Sequence, residues 1–250
     1  MKLSAVVAGV AGLTASALAQ DSAPVTDAET GITFQAFTNP EGVSYGIALP
    51  ANASAAGGYD IILQVTAPIE CGWAGIAWGG AMVYNPLSVV WPNGESVVAS
   101  PRMAYGYYQP EIYEGGTLTL LKGSGANATH FKVTVLAQGF SSWTDFDGNA
   151  AHLDGSAQVR LAYACSRTPV DDPASVGSGF SVHDAVGRWV HDLAAARSAE
   201  FPNWVADNTV PSRAGGRRMV AREERHPVVP RLRDSARFRP GRRANATAQA

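Results

Sequence analysis

The chain is short of cysteine, of charge and of helical period, and each shortage removes a class of protein. Only Cys71 and Cys165 occur in 250 residues, which excludes a Cys-based zinc site and a disulfide-dense miniature scaffold. Charged residues make up 16%. Outside the last forty residues they are eight Lys or Arg against eighteen Asp or Glu, so the body has no electrostatic footprint for nucleic acid. No Gly-rich loop leads into Lys-Ser or Lys-Thr, and G-x-G-x-x-G before a helix, H-E-x-x-H and G-x-S-x-G are missing. Nucleotide binding and the commoner hydrolase arrangements are therefore without a signature. After residue 20 no stretch approaches the ~18 apolar residues of a membrane span. No internal repeat is visible.

The first twenty residues, MKLSAVVAGVAGLTASALAQ, set Lys2 before an apolar run and end in Ala17-Leu18-Ala19. This predicts a signal peptide over 1–19 and a secreted, extracellular, monomeric protein. In an oxidising compartment Cys71 and Cys165 are expected as one disulfide, closing a loop of ~94 residues and contributing on the order of 4 kcal/mol; two buried thiols are the alternative. Secretion also gives meaning to the acceptor sites at Asn52, Asn127 and Asn245, with Asn127 the best placed for glycosylation. Residues 209–250 hold eleven arginines against Glu223, Glu224 and Asp234. With many prolines and no hydrophobic period, this stretch reads as a basic disordered tail.

Between them, residues 21–208 read as β. ITFQAF, SYGIAL, YDIILQVTA, GWAGIAW, LSVVW, TLTLL, HFKVTVLA and QVRLAYA are rich in β-branched and aromatic residues, with turn clusters such as NPEG, WPNG and DFDGNA between them. Eight or more short strands predict an all-β sandwich or open barrel. HDLAAARSAEF, 191–201, reads as the one short helix.

Candidate chemistry is sparse. Asp145, Asp147, Asp171 and Asp172 include residues for a two-carboxylate glycosidase, but turns require the same residue type. His130, His152 and His226 stand apart. Met82, just after Gly79-Gly80, and His183, in SGFSVHDAVGRW, remain. A thioether and an imidazole can fill both axial positions of a haem iron. Neither cysteine has the neighbours a blue-copper centre needs. Haem held by two such distant residues calls for a pocket between sheets, with Gly79 and Gly80 letting the backbone approach the macrocycle. The plain alternatives are a core methionine and a solvated histidine.

GWAGIAWGGAMVYNPLSVVWPNGESVVASPRMAYGYYQPEIYEGG, then NATHFKVTVLAQG, LAYACSRTPVDDP and FSVHD, resemble in order and spacing the haem b cytochrome domain of fungal cellobiose dehydrogenases. The likeness runs over about residues 28–205. It implies an antiparallel, immunoglobulin-like (DOMON-like) β-sandwich with a haem b pocket at one end. Met82 and His183 would be the axial ligands, Tyr107 would contact a propionate, and Arg102 would neutralise a propionate or make a surface salt bridge. Met103 and His191 are the nearest competing ligands. Trp73, Trp78, Trp91 and Tyr84 are core residues, one or two of them flanking the porphyrin. With both axial positions filled, the implied function is one-electron transfer, without a catalytic residue. A flavin dehydrogenase is the implied donor and a copper polysaccharide monooxygenase or ferric complex the implied acceptor. No flavin domain follows in this chain, so a stand-alone, iron-reductase-type relative is expected. A haem-free module binding a sugar or catechol is the alternative.

Overall fold

The computed structural model describes residues 21–210; the signal peptide, Asn245, His226 and the tail expected over 209–250, except its first two residues, lie outside them, and Thr209 bridges to Leu121. The strands, in order, are Ala23–Thr26 (β1), Thr33–Thr38 (β2), Ser44–Pro50 (β3), Ile61–Pro68 (β4), Trp73–Ala77 (β5) and Pro86–Asn93 (β6). Then come Ser96–Met103 (β7), Glu111–Ile112 (β8), Thr117–Leu120 (β9), Gly125–Ala126 (β10) and His130–Gln138 (β11). Ser142–Thr144 (β12), Ala150–His152 (β13), Gln158–Ser166 (β14), Ala185–Asp192 (β15) and Arg197–Ser198 (β16) precede one helix, Phe201–Asn208 (α1).

Two large sheets result. One runs β1-β2-β3-β4-β11-β10, with β9 also on β11 and β16 parallel to β3. The other runs β15-β14-β5-β6-β7-β8, wholly antiparallel. This is the expected antiparallel β-sandwich. Alternation along each strand sends every second side chain into the space between the sheets. From β5, β6, β14 and β15 these are Ile76, Val90, Leu161, Tyr163 and Trp189, meeting Tyr45, Leu63, Phe131 and Val135 of the other sheet. Buried aromatic rings remove about 150–250 Å² of surface each from water, so the inner face carries much of the fold's stability. Tyr45 stacks on Trp189 at 5.5 Å and Trp189 on Phe37 at 4.8 Å.

Two expectations need correction. HDLAAARSAEF is not helical: His191 and Asp192 end β15, a turn follows, and the helix begins at Phe201 with Pro202 in its first turn. Proline suits that position because its missing N–H has no helical partner there. Nor is the disulfide formed. Cys71 and Cys165 are buried free thiols. The Cys71 Sγ–H donates to the Trp73 carbonyl at 3.1 Å. Its hydrogen bond with Cys165 and its burial both push the Cys71 thiol up, while the same partner draws Cys165 down.

Candidate functional site

The outward face of the six-stranded sheet has a hollow where side chains are small. Gly75 and Ala77 of β5 lie opposite Ala164 and Ala162 of β14, and Val89 and Leu87 of β6 close the other side. These positions floor a cavity of about 690 Å³, within the ~300–1,000 Å³ of small-molecule and cofactor sites. A Cβ added at Gly75 would meet its nearest atoms only at 3.6 to 3.7 Å. The cavity therefore lies on the outside of one sheet, not between the sheets. The inter-sheet space is filled by rings such as Trp78 and Phe131, both fully buried.

One wall is the turn after β5. The Gly80 N–H donates to the Ala77 carbonyl at 3.1 Å, and Gly80 has φ +75°, a conformation that glycine alone adopts readily. Across the sheet, Arg188 Nε donates to the Gly80 carbonyl at 2.9 Å. This turn presents half-buried Met82 to the cavity. Gly79 has a different reason: a Cβ there would overlap the Asn85 side chain, and Gly79 does not line the cavity. Tyr84 also does not line it; its φ of 56° turns its ring edge-on to Phe146 at 4.9 Å and Tyr105 at 5.6 Å.

The opposite wall is the loop from β14 to β15. His183 lines the cavity and is otherwise exposed. Its neighbour Asp184 ties the loop end down, accepting from the Arg167 N–H at 2.7 Å and the Ser166 hydroxyl at 2.8 Å. Those bonds hold the Asp184 carboxyl below the usual carboxylate range. Phe180, also lining, packs on Trp73 at 4.9 Å. The rim comes from Tyr107, Tyr108, Gln109 and Pro110, with Tyr107 92% exposed.

The structure thus brings Met82, His183, Tyr107 and Gly80 to one cavity. It places Arg102 elsewhere: the guanidinium is buried behind the rim, bonded to main-chain carbonyls, and makes no salt bridge among the described residues. Met103 is buried opposite Pro86 and is not a lining residue. His191 points into the inter-sheet core, where the Trp189 indole N–H donates to its Nδ1 at 3.0 Å. Burial pushes its pKa down to about 4. Asp145 and Asp172 cap their own loops, accepting from the Asp147 and Asn149 amides and from the Ala174 amide, respectively. Asn52 and Asn127 are exposed.

Sequence reasoning missed the floor and Arg188, the one Lys or Arg among the described residues that lines the cavity. The floor did leave a signal. In WAGIAW and RLAYAC every second residue over a short run is Gly or Ala, and period-two alternation puts them on one face.

Comparison with known proteins agrees on the family. A family model described as the cytochrome domain of cellobiose dehydrogenase matches residues 25–203. Over 208 residues the chain is 31% identical to a pyrroloquinoline quinone-dependent pyranose dehydrogenase of Coprinopsis cinerea, covering 82% of this chain and 28% of that protein. The chain therefore spans under a third of that curated relative. The crystal structure of the cytochrome b domain of the Coprinopsis cinerea pyranose dehydrogenase superposes with a TM-score of 0.67 at 29% identity, covering 74% of this chain and 95% of that one. For the cytochrome domain of Myriococcum thermophilum cellobiose dehydrogenase the TM-score is 0.68 at 27% identity, with 76% and 97% covered.

Proposed function

The chain belongs to the family of cellobiose dehydrogenase cytochrome domains, and on that premise we propose that it is a secreted haem b electron-transfer protein with Met82 and His183 as axial ligands. One observation carries the reading: a soft thioether and an imidazole, about a hundred residues apart in sequence, line the same cavity over a floor of Gly75, Ala77, Ala162 and Ala164. That donor pair and flat floor fit a haem. When bound, the group supplies one-electron exchange at an iron without an open position.

The protein's own residues supply the rest. Arg188 holds the Met82 turn through the Gly80 carbonyl, and Asp184 holds the end of the loop bearing His183. The apolar floor keeps water from the centre of the site. Tyr107 at the rim and Arg188 beside the Met82 turn would offer a phenol and a positive charge to the carboxylates of the group. Tyr107 and Val182, 92% and 80% exposed, mark the edge at which a redox partner docks. The donor is a flavin- or quinone-dependent sugar dehydrogenase. The acceptor is a copper polysaccharide monooxygenase or a ferric complex.

The visible spectrum of the purified protein tests this. A six-coordinate, low-spin Soret and α band is expected. Met82→Ala should retain haem, open a coordination position and lower the potential; His183→Ala should lose most of the haem. Absence of a Soret band would overturn the reading and leave the haem-free binding module. For the partner, the reduced protein should speed polysaccharide breakdown by a copper monooxygenase. No acceleration would leave ferric complexes as the acceptor.

A further inference from the structure

Arg102 is a buried cation with no anion to match. It is 3% exposed, and the ion pairs among the described residues are those of Lys132 with Asp27 and Glu29. Its charge is met by oxygen dipoles and one aromatic face. Nε donates to Ser100 Oγ at 2.6 Å, one terminal nitrogen to the Pro110 carbonyl at 2.9 Å, and the other to the carbonyls of Val176 at 2.9 Å and Ser178 at 2.7 Å. Phe180 lies under the guanidinium, 5.3 Å from it to the ring centroid. A desolvated charge is costly even when its hydrogen bonds are made, and an apolar replacement is often no less stable. Fold stability alone is thus a weak reason for an arginine here.

The acceptors say more. Pro110 closes the loop that carries the rim tyrosines; Val176 and Ser178 belong to the loop that carries Phe180 and His183; Ser100 is on β7. Ser100 Oγ–H also donates to the Val176 carbonyl at 2.7 Å, and the Phe180 N–H reaches Gln109 Oε1 at 3.3 Å, joining the same two loops. A planar fork can satisfy acceptors in several directions at once, which a single ammonium cannot.

We propose that Arg102 is a positioning residue of the cofactor site, whose fork locks the tyrosine rim and the His183 loop to β7 as one unit and so sets how firmly His183 holds its place. The proposal rests on the haem reading above. Arg102 itself does not line the cavity.

The test compares wild-type full-length holoprotein with Arg102→Lys and Arg102→Met. Both variants should raise amide exchange about tenfold or more in residues 105–110 and 176–183, leaving β4 and β11 protected, because charge-assisted hydrogen bonds are lost. Both should let added imidazole displace the native axial ligand at about tenfold lower concentration. Arg102→Lys matching the wild type in both readouts would overturn the proposal, since charge without the fork would then suffice. A lower Tm with unchanged loop exchange and imidazole affinity would also overturn it, leaving a merely structural arginine. Should both variants fail to fold, Ser100→Ala decides. It removes the Nε acceptor and the bond to Val176, and should give the same two changes at about threefold; no change overturns the proposal. Were the wild type to lack a six-coordinate spectrum, the haem reading would fail, and the exchange measurement would still decide whether Arg102 locks the two loops.

Discussion

Ile76 and Ala77 are neighbours on β5 and both border the cavity, yet the Ile76 side chain belongs to the inter-sheet core while Ala77 packs with Trp73, Leu87 and Val89 on the outward face. The same contrast runs across the six-stranded sheet. Inward, Trp78, Leu161, Tyr163 and Trp189 are complemented by the side chains of the other sheet. Outward, Gly75, Ala77, Ala162 and Ala164 leave a hollow closed only by two loops and a rim. The lesson is that one sheet can separate stability from binding by face. Large side chains fill what must not move, and small ones leave a shape for something else to fill. Changes on the two faces should therefore have opposite signatures.

The largest effect on the site itself is expected from filling the hollow. Ala164→Trp puts an indole on the floor and should weaken haem uptake by about 5- to 150-fold, since overpacking costs ~1–3 kcal/mol. The urea midpoint should barely move, because the added ring enters a cavity. Haem titration and urea unfolding on the same sample check both. Full uptake would show that the floor is not the site. The inverse change is Phe131→Ala on β11, whose side chain is fully buried in the inter-sheet core. It should cost about 3–5 kcal/mol in urea unfolding with the haem spectrum of the folded fraction unchanged. An altered spectrum would mean that the two faces are coupled.

His191 adds a pH arm to the inner face. Its folded pKa of about 4 lies below the ordinary 6.5 because burial disfavours the imidazolium. As pH falls from about 6.5 to 4, the unfolded chain takes up a proton that the folded chain refuses, so stability falls by up to ~3 kcal/mol and then levels off. His191→Gln keeps an acceptor for the Trp189 indole and does not titrate. Urea unfolding at a series of pH values should show that drop removed, with haem content intact. A haem-free variant would point to His191, the competing candidate, as the ligand.

These faces were unevenly legible beforehand. Eight runs of β-branched and aromatic residues announced strands because a half-buried pleat favours those types. β7 was harder to see: SVVASPRM contains a proline and two serines that blur the period. Most of β15 was overlooked, and its last two residues ran on into HDLAAAR, which reads as helix, although His191 is a core residue. At the site, the order of sequence blocks pointed to Met82 and His183, and both line the same cavity. It misplaced Arg102, because nothing in a linear chain distinguishes an exposed guanidinium from one buried among carbonyls of distant loops. Arg188 was missed since its position beside the Met82 turn comes from strand pairing.

The smallest effect makes the sharpest comparison, because one substitution can be made on each face. A Cβ at Gly187, on the inner side of β15, would meet the Tyr163 ring at 2.6 Å. Gly187→Ala should therefore destabilise by about 1–3 kcal/mol as the ring is forced aside. At Gly75 the nearest atoms are at 3.6 to 3.7 Å, and alanine restricts the unfolded chain and suits a strand interior better than glycine. Gly75→Ala should thus stabilise by about 0.5–1 kcal/mol. Its methyl group nevertheless enters the floor, so haem release should quicken a few-fold, as expected for one added methyl against a flat ligand. Stopped-flow transfer of haem to a scavenger globin reads the release, and urea unfolding reads the stability. Equal destabilisation by both alanines would mean that the outward hollow is packed as tightly as the core, and the division of labour between the faces would not hold.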